Sequence, residues 1–168
     1  IEPSMAFGTG HHPTTKMCIS LIKEHVKEDS KILDLGCGSG ILGIVAVKLG
    51  AKNCLSLDIE EESVKATLKN SIDSQVNGII SEKQDLTNSL DLNFKPDIII
   101  ANLNSYLFKA GIKNIIKCMK KETIMIASGI LIENYDEIKN IFINHNLTEI
   151  KKMENGDWSA IVLGNENA

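Results

Sequence analysis

The sequence predicts an α/β domain: a doubly wound, mostly parallel sheet with helices on both faces and an antiparallel hairpin strand at the C-terminal end. Short apolar runs alternate with segments of helical period along the 168 residues, the pattern of βα units that build such sheets. A glycine-rich turn, Gly36-Cys-Gly-Ser-Gly40, directly follows the first apolar run. Near the end, the hairpin dipeptide Asn155-Gly156 separates two strand-like segments.

Each element follows from its own pattern. Met17, Ile19, Leu21, Ile22 and Val26 repeat at helical spacing behind Pro13, which suits a first helical position, so a helix is expected over 13–27. Lys31-Ile-Leu-Asp-Leu35 reads as a short strand, and 39–49 as a helix stopped by Gly50. Cys54-Leu-Ser-Leu57 forms a second strand ending at Asp58. The segment 60–73 is a helix with acidic residues in its first turn, where they complement the dipole. Ile79 and Ile80 mark a weaker third strand. The unbroken apolar run 97–101 suits the centre of a parallel sheet. A helix over 105–119, a strand over 123–127 and a helix over 133–145 follow. Strands at 147–153 and 158–163 close the chain around a turn at Asn155-Gly156.

Composition narrows the class. Apolar residues make up 43% and charged residues 24%, enough for one domain with its own core. No apolar stretch approaches the roughly 18 residues of a membrane span, and no signal-peptide pattern opens the chain. The net charge of −4 argues against direct nucleic-acid binding, which draws on a basic face. Cys18, Cys37, Cys54 and Cys118 show no Cys-x-x-Cys spacing, so reduced thiols in a cytoplasmic protein are expected and no metal site is.

The chemistry centres on the glycine turn. Ligands in open α/β sheets bind at the carboxyl ends of the strands, and glycines let the backbone approach them closely. A dinucleotide fingerprint would need a third glycine at position 41, which is Ile41. The observed Gly-x-Gly-x-Gly follows an acidic Asp34 instead. Gly36 and Gly38 are therefore candidate cofactor contacts for an adenosine ligand other than a dinucleotide. Asp58 ends the second strand, where a carboxylate accepts hydrogen bonds from both ribose hydroxyls, and Ile59 would lie against the adenine face. Asp85 follows the third strand and could meet the adenine amino group, or serve as a solvated turn residue. Asn102 closes the fourth strand, where a non-titrating amide can orient an acceptor amine.

Taken in order, Ala6-Phe-Gly-Thr-Gly-His-His-Pro-Thr-Thr15, Asp34-Leu-Gly-Cys-Gly-Ser-Gly-Ile41, Leu57-Asp-Ile59, Ala101-Asn-Leu103 and Ser128-Gly-Ile-Leu131 resemble the PrmA-type bacterial ribosomal protein methyltransferases. These enzymes modify large-subunit ribosomal protein number eleven. The resemblance covers essentially the whole chain, and the Phe7–Thr15 segment is its most specific part. It implies a Rossmann-like class I methyltransferase fold and S-adenosylmethionine as cofactor. It also implies methyl transfer to lysine side chains or an N-terminal amine of that protein. A cytoplasmic monomer is expected. Carried over by position, the cofactor-binding residues are Thr15, Gly36, Asp58 and Asn102, with Asn102 also orienting the amine. His11 stands where the family commonly shows Thr and is expected in an exposed loop. The resemblance further implies an N-terminal substrate-recognition domain that this chain, which opens at Ile1, lacks. Two alternatives remain open at this point: a nucleic-acid N-methyltransferase on the same fold, and an adenosine-nucleotide binding module without catalysis.

Overall fold

The computed structural model describes residues 10–165. Seven strands form one sheet: β1 Lys31–Leu35, β2 Asn53–Asp58, β3 Ile79–Lys83, β4 Ile98–Asn102, β5 Ile124–Leu131, β6 Leu147–Asn155 and β7 Trp158–Asn165. Their order across the sheet is β3-β2-β1-β4-β5-β7-β6. Helices α1 Pro13–His25, α2 Ile41–Lys48, α3 Glu61–Asp73, α4 Ser105–Cys118 and α5 Tyr135–Ile143 complete the fold, with a 3-10 turn at Ile132–Asn134 ahead of α5.

Strands β1 to β5 are parallel where they pair, as the alternating βα pattern predicts. Alternation along each central strand divides the core into two layers. Ile32, Ile98, Ile100, Ile126 and Val162 point to the layer shared with Met17, Leu21 and Leu42 of α1 and α2. Leu33, Ile99, Met125 and Ile161 point to the layer shared with Phe108 and Ile112 of α4 and with Phe142 of α5. Both faces of the sheet are thus covered, and the central strands read as continuous apolar runs for that reason.

The expected antiparallel hairpin strand is β7, but it does not lie at the edge. It sits between β5 and β6 and is antiparallel to both. The β5–α5–β6 crossover leaves one strand position open, and the hairpin returns β7 into it.

Several boundaries differ from the sequence expectation for identifiable reasons. Helix α2 starts at Ile41 rather than 39, because Gly40 takes a left-handed conformation with φ +78°. Helix α1 ends at His25, since Val26 is already extended. The hairpin turn is Gly156-Asp157, one residue later than expected, and Asn155 pairs with Trp158. Positive φ falls on Gly156 alone (+61°), as a two-residue turn with glycine first requires. Strand β5 continues past 127 to Leu131 through a register shift between Ser128 and Ile130. All four cysteines are buried and unpaired. No helix among the described residues is long and apolar enough to cross a membrane.

Candidate active site

Strand order turns at β1, whose neighbours are β2 on one side and β4 on the other. A crevice opens at the carboxyl ends of strands at such a point. A cavity of about 540 Å3 lies there, lined by Gly36, Gly38, Asp58, Ile59, Asp85, Asn102 and neighbouring residues. That volume suits a cofactor-sized ligand.

The β1–α2 turn forms one wall. Gly36 has φ +68° and Gly40 φ +78°, conformations that L side chains rarely adopt. A Cβ on Gly36 would lie 2.5 Å from Leu103 Cδ2, and one on Gly40 would lie 2.7 Å from Thr67 Cγ2. The turn is also held from outside. Gly36 N and Cys37 N donate to the Leu57 carbonyl at 2.8 and 3.1 Å. From α3, Thr67 Oγ1 donates to the Gly38 carbonyl at 3.2 Å and Asn70 Nδ2 donates to the Ser39 carbonyl at 2.8 Å. Sequence reading missed Thr67 and Asn70. Their signal was two polar residues three positions apart on the buried face of α3.

Asp58 stands at the end of β2 with its carboxylate already oriented. Oδ2 accepts from Gly38 N at 2.9 Å and Oδ1 accepts from Glu60 N at 3.0 Å. Each oxygen keeps acceptor capacity beyond one bond, so hydroxyl donors can be added without breaking the turn. Ile59 is 54% exposed and still lines the cavity. Asp34 lies beneath the turn, 1% exposed, with Oδ2 accepting from Gly43 N at 3.2 Å. Burial raises its pKa to about 7; the Gly43 N–H opposes that shift and the nearby Asp58 charge adds to it.

Asp85 lines the cavity too, but its oxygens are engaged locally. Oδ1 accepts from Thr87 N at 2.8 Å and Thr87 Oγ1 at 2.7 Å, and Oδ2 accepts from Asn88 Nδ2 at 3.0 Å. It shapes the loop after β3 more than it offers a free acceptor. Of the two sequence readings, the turn residue is the one this geometry favours.

The opposite wall comes from β4 and β5. Asn102, Leu103 and Asn104 line it together with Gly129, and Trp158 and His12 complete it. The His12 and Trp158 rings meet edge to face at 5.0 Å, and His12 Nδ1 lies 2.7 Å from Thr14 Oγ1. Neither aromatic was singled out from sequence. His11 is exposed and is not among the lining residues. Thr14, not Thr15, lines the described cavity. Thr15 is buried, and its Oγ1 has no partner among the described residues. The Phe7–Thr9 part of the specific N-terminal segment lies outside the described residues. No cluster of residues that could hold a metal occurs among the described ones.

The residues present fit an adenosine-bearing cofactor. The turn offers a wall where Cβ atoms would clash, and Asp58 offers an oriented carboxylate.

Comparison with known proteins identifies the family. The family model described as ribosomal protein L11 methyltransferase (PrmA) matches residues 1–166. The chain is 37% identical over 164 residues to a ribosomal protein L11 methyltransferase of Ruminiclostridium cellulolyticum, covering 97% of this chain and 52% of that protein. It is 38% identical over 167 residues to one from Dictyoglomus turgidum, covering 99% of this chain and 55% of the relative. The chain therefore spans about half the length of these curated relatives. Among solved structures, a ribosomal protein L11 methylase from Lactobacillus delbrueckii subsp. bulgaricus superposes with a TM-score of 0.91 at 29% identity, covering 99% of this chain and 84% of that one. A precorrin-6y C5,15-methyltransferase from Geobacter metallireducens shares the fold alone, with a TM-score of 0.75 at 12% identity over 98% of this chain and 95% of the other.

Proposed function

The chain belongs to the ribosomal protein L11 methyltransferase (PrmA) family, and from that premise we propose that it is the catalytic domain of an S-adenosylmethionine-dependent enzyme that methylates amino groups of a large-subunit ribosomal protein. The acceptors are lysine side chains, an N-terminal amine, or both. The observation that carries this reading is the cavity itself. It sets Asp58 and the Gly36–Gly40 turn against Asn102 across the carboxyl ends of β1, β2 and β4. We assign recognition of the protein substrate to the part of the full-length relatives outside the match, and place the reaction in the cytoplasm.

In this reading Gly36 and Gly38 bring the backbone against the cofactor, Asp58 accepts from its ribose hydroxyls, and Ile59 covers the adenine. Thr15 contributes its buried hydroxyl. The bound cofactor supplies a methyl group on a sulfonium, so the difficult bond-breaking chemistry does not fall to the protein. The protein's share is alignment. A free lysine amine, with a pKa of about 10.4, must shed a proton before it can attack, and a desolvated site favours the neutral form. Asn102 and nearby backbone carbonyls orient that amine, and no covalent enzyme intermediate forms. Asp58 and Asp85, the carboxylates on the cavity wall, are both engaged in hydrogen bonds, which supports orientation rather than general-base catalysis.

Incubating the full-length protein with methyl-labelled cofactor, purified ribosomal proteins and ribosomal RNA tests the reading by mass spectrometry. Label on amines of ribosomal protein L11 is the expected result. Label confined to RNA would establish the nucleic-acid alternative, and cofactor binding without turnover would establish the non-catalytic one.

A further inference from the structure

The Ser128-Gly-Ile-Leu131 segment of β5 has no role in the reading above, yet its geometry is unusual. The β5–β7 register shifts between Ser128 and Ile130, and Gly129 at that bulge has φ +83°. A Cβ on Gly129 would lie 2.4 Å from the Leu103 carbonyl oxygen and 3.1 Å from Asn102 Oδ1. Both oxygens therefore lie beside the place a Cβ of residue 129 would take, and Gly129, Asn102 and Leu103 all line the cavity. The Leu103 carbonyl accepts no backbone hydrogen bond among the described residues, although Leu103 is only 5% exposed. Carbonyls in such places are ordinarily paired. Leu103 N donates to the Ser128 carbonyl at 2.9 Å, which ties the end of β4 to the bulge.

We propose that Gly129 is a positioning residue for methyl transfer. Its missing side chain lets the Asn102 amide oxygen and the Leu103 carbonyl converge on two N–H bonds of an acceptor amine, leaving the nitrogen lone pair to attack. This rests on the amine-methylating function proposed above. The amine lone pair forms the new N–C bond as the C–S bond breaks, and the electrons of that bond go to sulfur. Positive charge passes from sulfur to nitrogen, and the alkylated ammonium then releases a proton to water. Neither oxygen titrates, so the pair acts by holding the nitrogen in line. A Cβ at position 129 must push at least the rigid Leu103 carbonyl aside.

The test uses the full-length protein, purified ribosomal protein L11 and labelled S-adenosylmethionine. Gly129→Ala is compared with Gly156→Ala. Both sites have positive φ, but a Cβ on Gly156 meets nothing within 4 Å, so Gly156→Ala carries backbone strain without crowding. A misplacement of about an ångström in a reacting pair can reduce turnover about 100-fold. That loss in kcat is expected for Gly129→Ala, with the cofactor dissociation constant and the KM for L11 unchanged, whereas Gly156→Ala keeps wild-type kcat. Gly129→Asn tolerates positive φ while adding a Cβ, and is expected to share the kcat loss. Wild-type kcat in either Gly129 variant overturns the proposal. So does loss of cofactor binding in parallel with kcat in both, which would give Gly129 a purely structural role. A wild-type protein that binds cofactor but leaves L11 unmethylated instead overturns the function on which the proposal rests, and the two failures are told apart by that control.

Discussion

On the β1–β2 side of the cavity the polar groups are already held by protein. Asp58 accepts from two backbone N–H groups, and Thr67 and Asn70 brace the glycine turn from α3. On the β4–β5 side the Leu103 carbonyl has no backbone partner among the described residues, and it lies with Asn102 Oδ1 beside Gly129. On the proposed function, the first wall is preorganised for the cofactor, which is the same in every turnover, and the second offers acceptors for the substrate amine. Preorganisation lowers the ordering cost of binding, and acceptors without partners favour the reactant that satisfies them.

The largest test of this contrast is a pair of substitutions. Asp58→Ala removes the charged acceptor that the proposed function gives the two ribose hydroxyls, each such bond contributing about 1.5–3 kcal/mol, so cofactor affinity is expected to fall at least about 100-fold by calorimetry. Asn102→Ala should leave most of that affinity in place while turnover falls about 100-fold through lost alignment. If both variants lose affinity alike, the two walls are one binding surface and the contrast fails.

The two walls also differ in how far the sequence reveals them. The glycine turn and Asp58 are legible because their spacing is local: a strand, a tight turn and a carboxylate at the next strand end. The unbroken apolar run at 97–101 likewise makes a buried central strand legible. The insertion of β7 between β5 and β6 is not local, because strand order depends on where a crossover leaves space. Trp158 and His12 meet across 146 positions of sequence, and no spacing rule joins them. The bulge at Gly129 was hidden for a similar reason, since a strand glycine shows its purpose only when its neighbours are seen. Asp85 is a different case: its spacing leaves two readings open, and only the hydrogen bonds to Thr87 and Asn88 favour the turn residue.

A moderate effect is expected from Asp34, which underlies the preorganised wall. Its pKa rises from 3.8 to about 7 in the folded state. Between those values the folded protein retains a proton that the unfolded chain has released, so stability falls as pH rises. The slope approaches about 1.4 kcal/mol per pH unit, or about 2 kcal/mol between pH 5 and pH 7 by the same linkage. Denaturant unfolding of the cofactor-free protein across that range should show the decline, and Asp34→Asn should flatten it. Parallel curves for the two proteins would mean that the buried carboxyl is not the titrating group.

The smallest expected effect is the one that best sharpens the boundary between the walls. Thr15 lies on α1, which packs against β5, β7 and α2, and its buried Oγ1 has no partner among the described residues. A buried hydroxyl without a partner destabilises by about 1 kcal/mol. Thr15→Val keeps the shape and removes the hydroxyl, so the cofactor-free protein should become more stable by about that amount. If the hydroxyl finds its partner in the cofactor, the same substitution should weaken cofactor binding about fivefold. Stability and affinity would then move in opposite directions, which a packing change alone would not produce. A gain in stability with unchanged affinity would place Thr15 outside the site and leave Thr14 as the residue through which α1 borders the cavity.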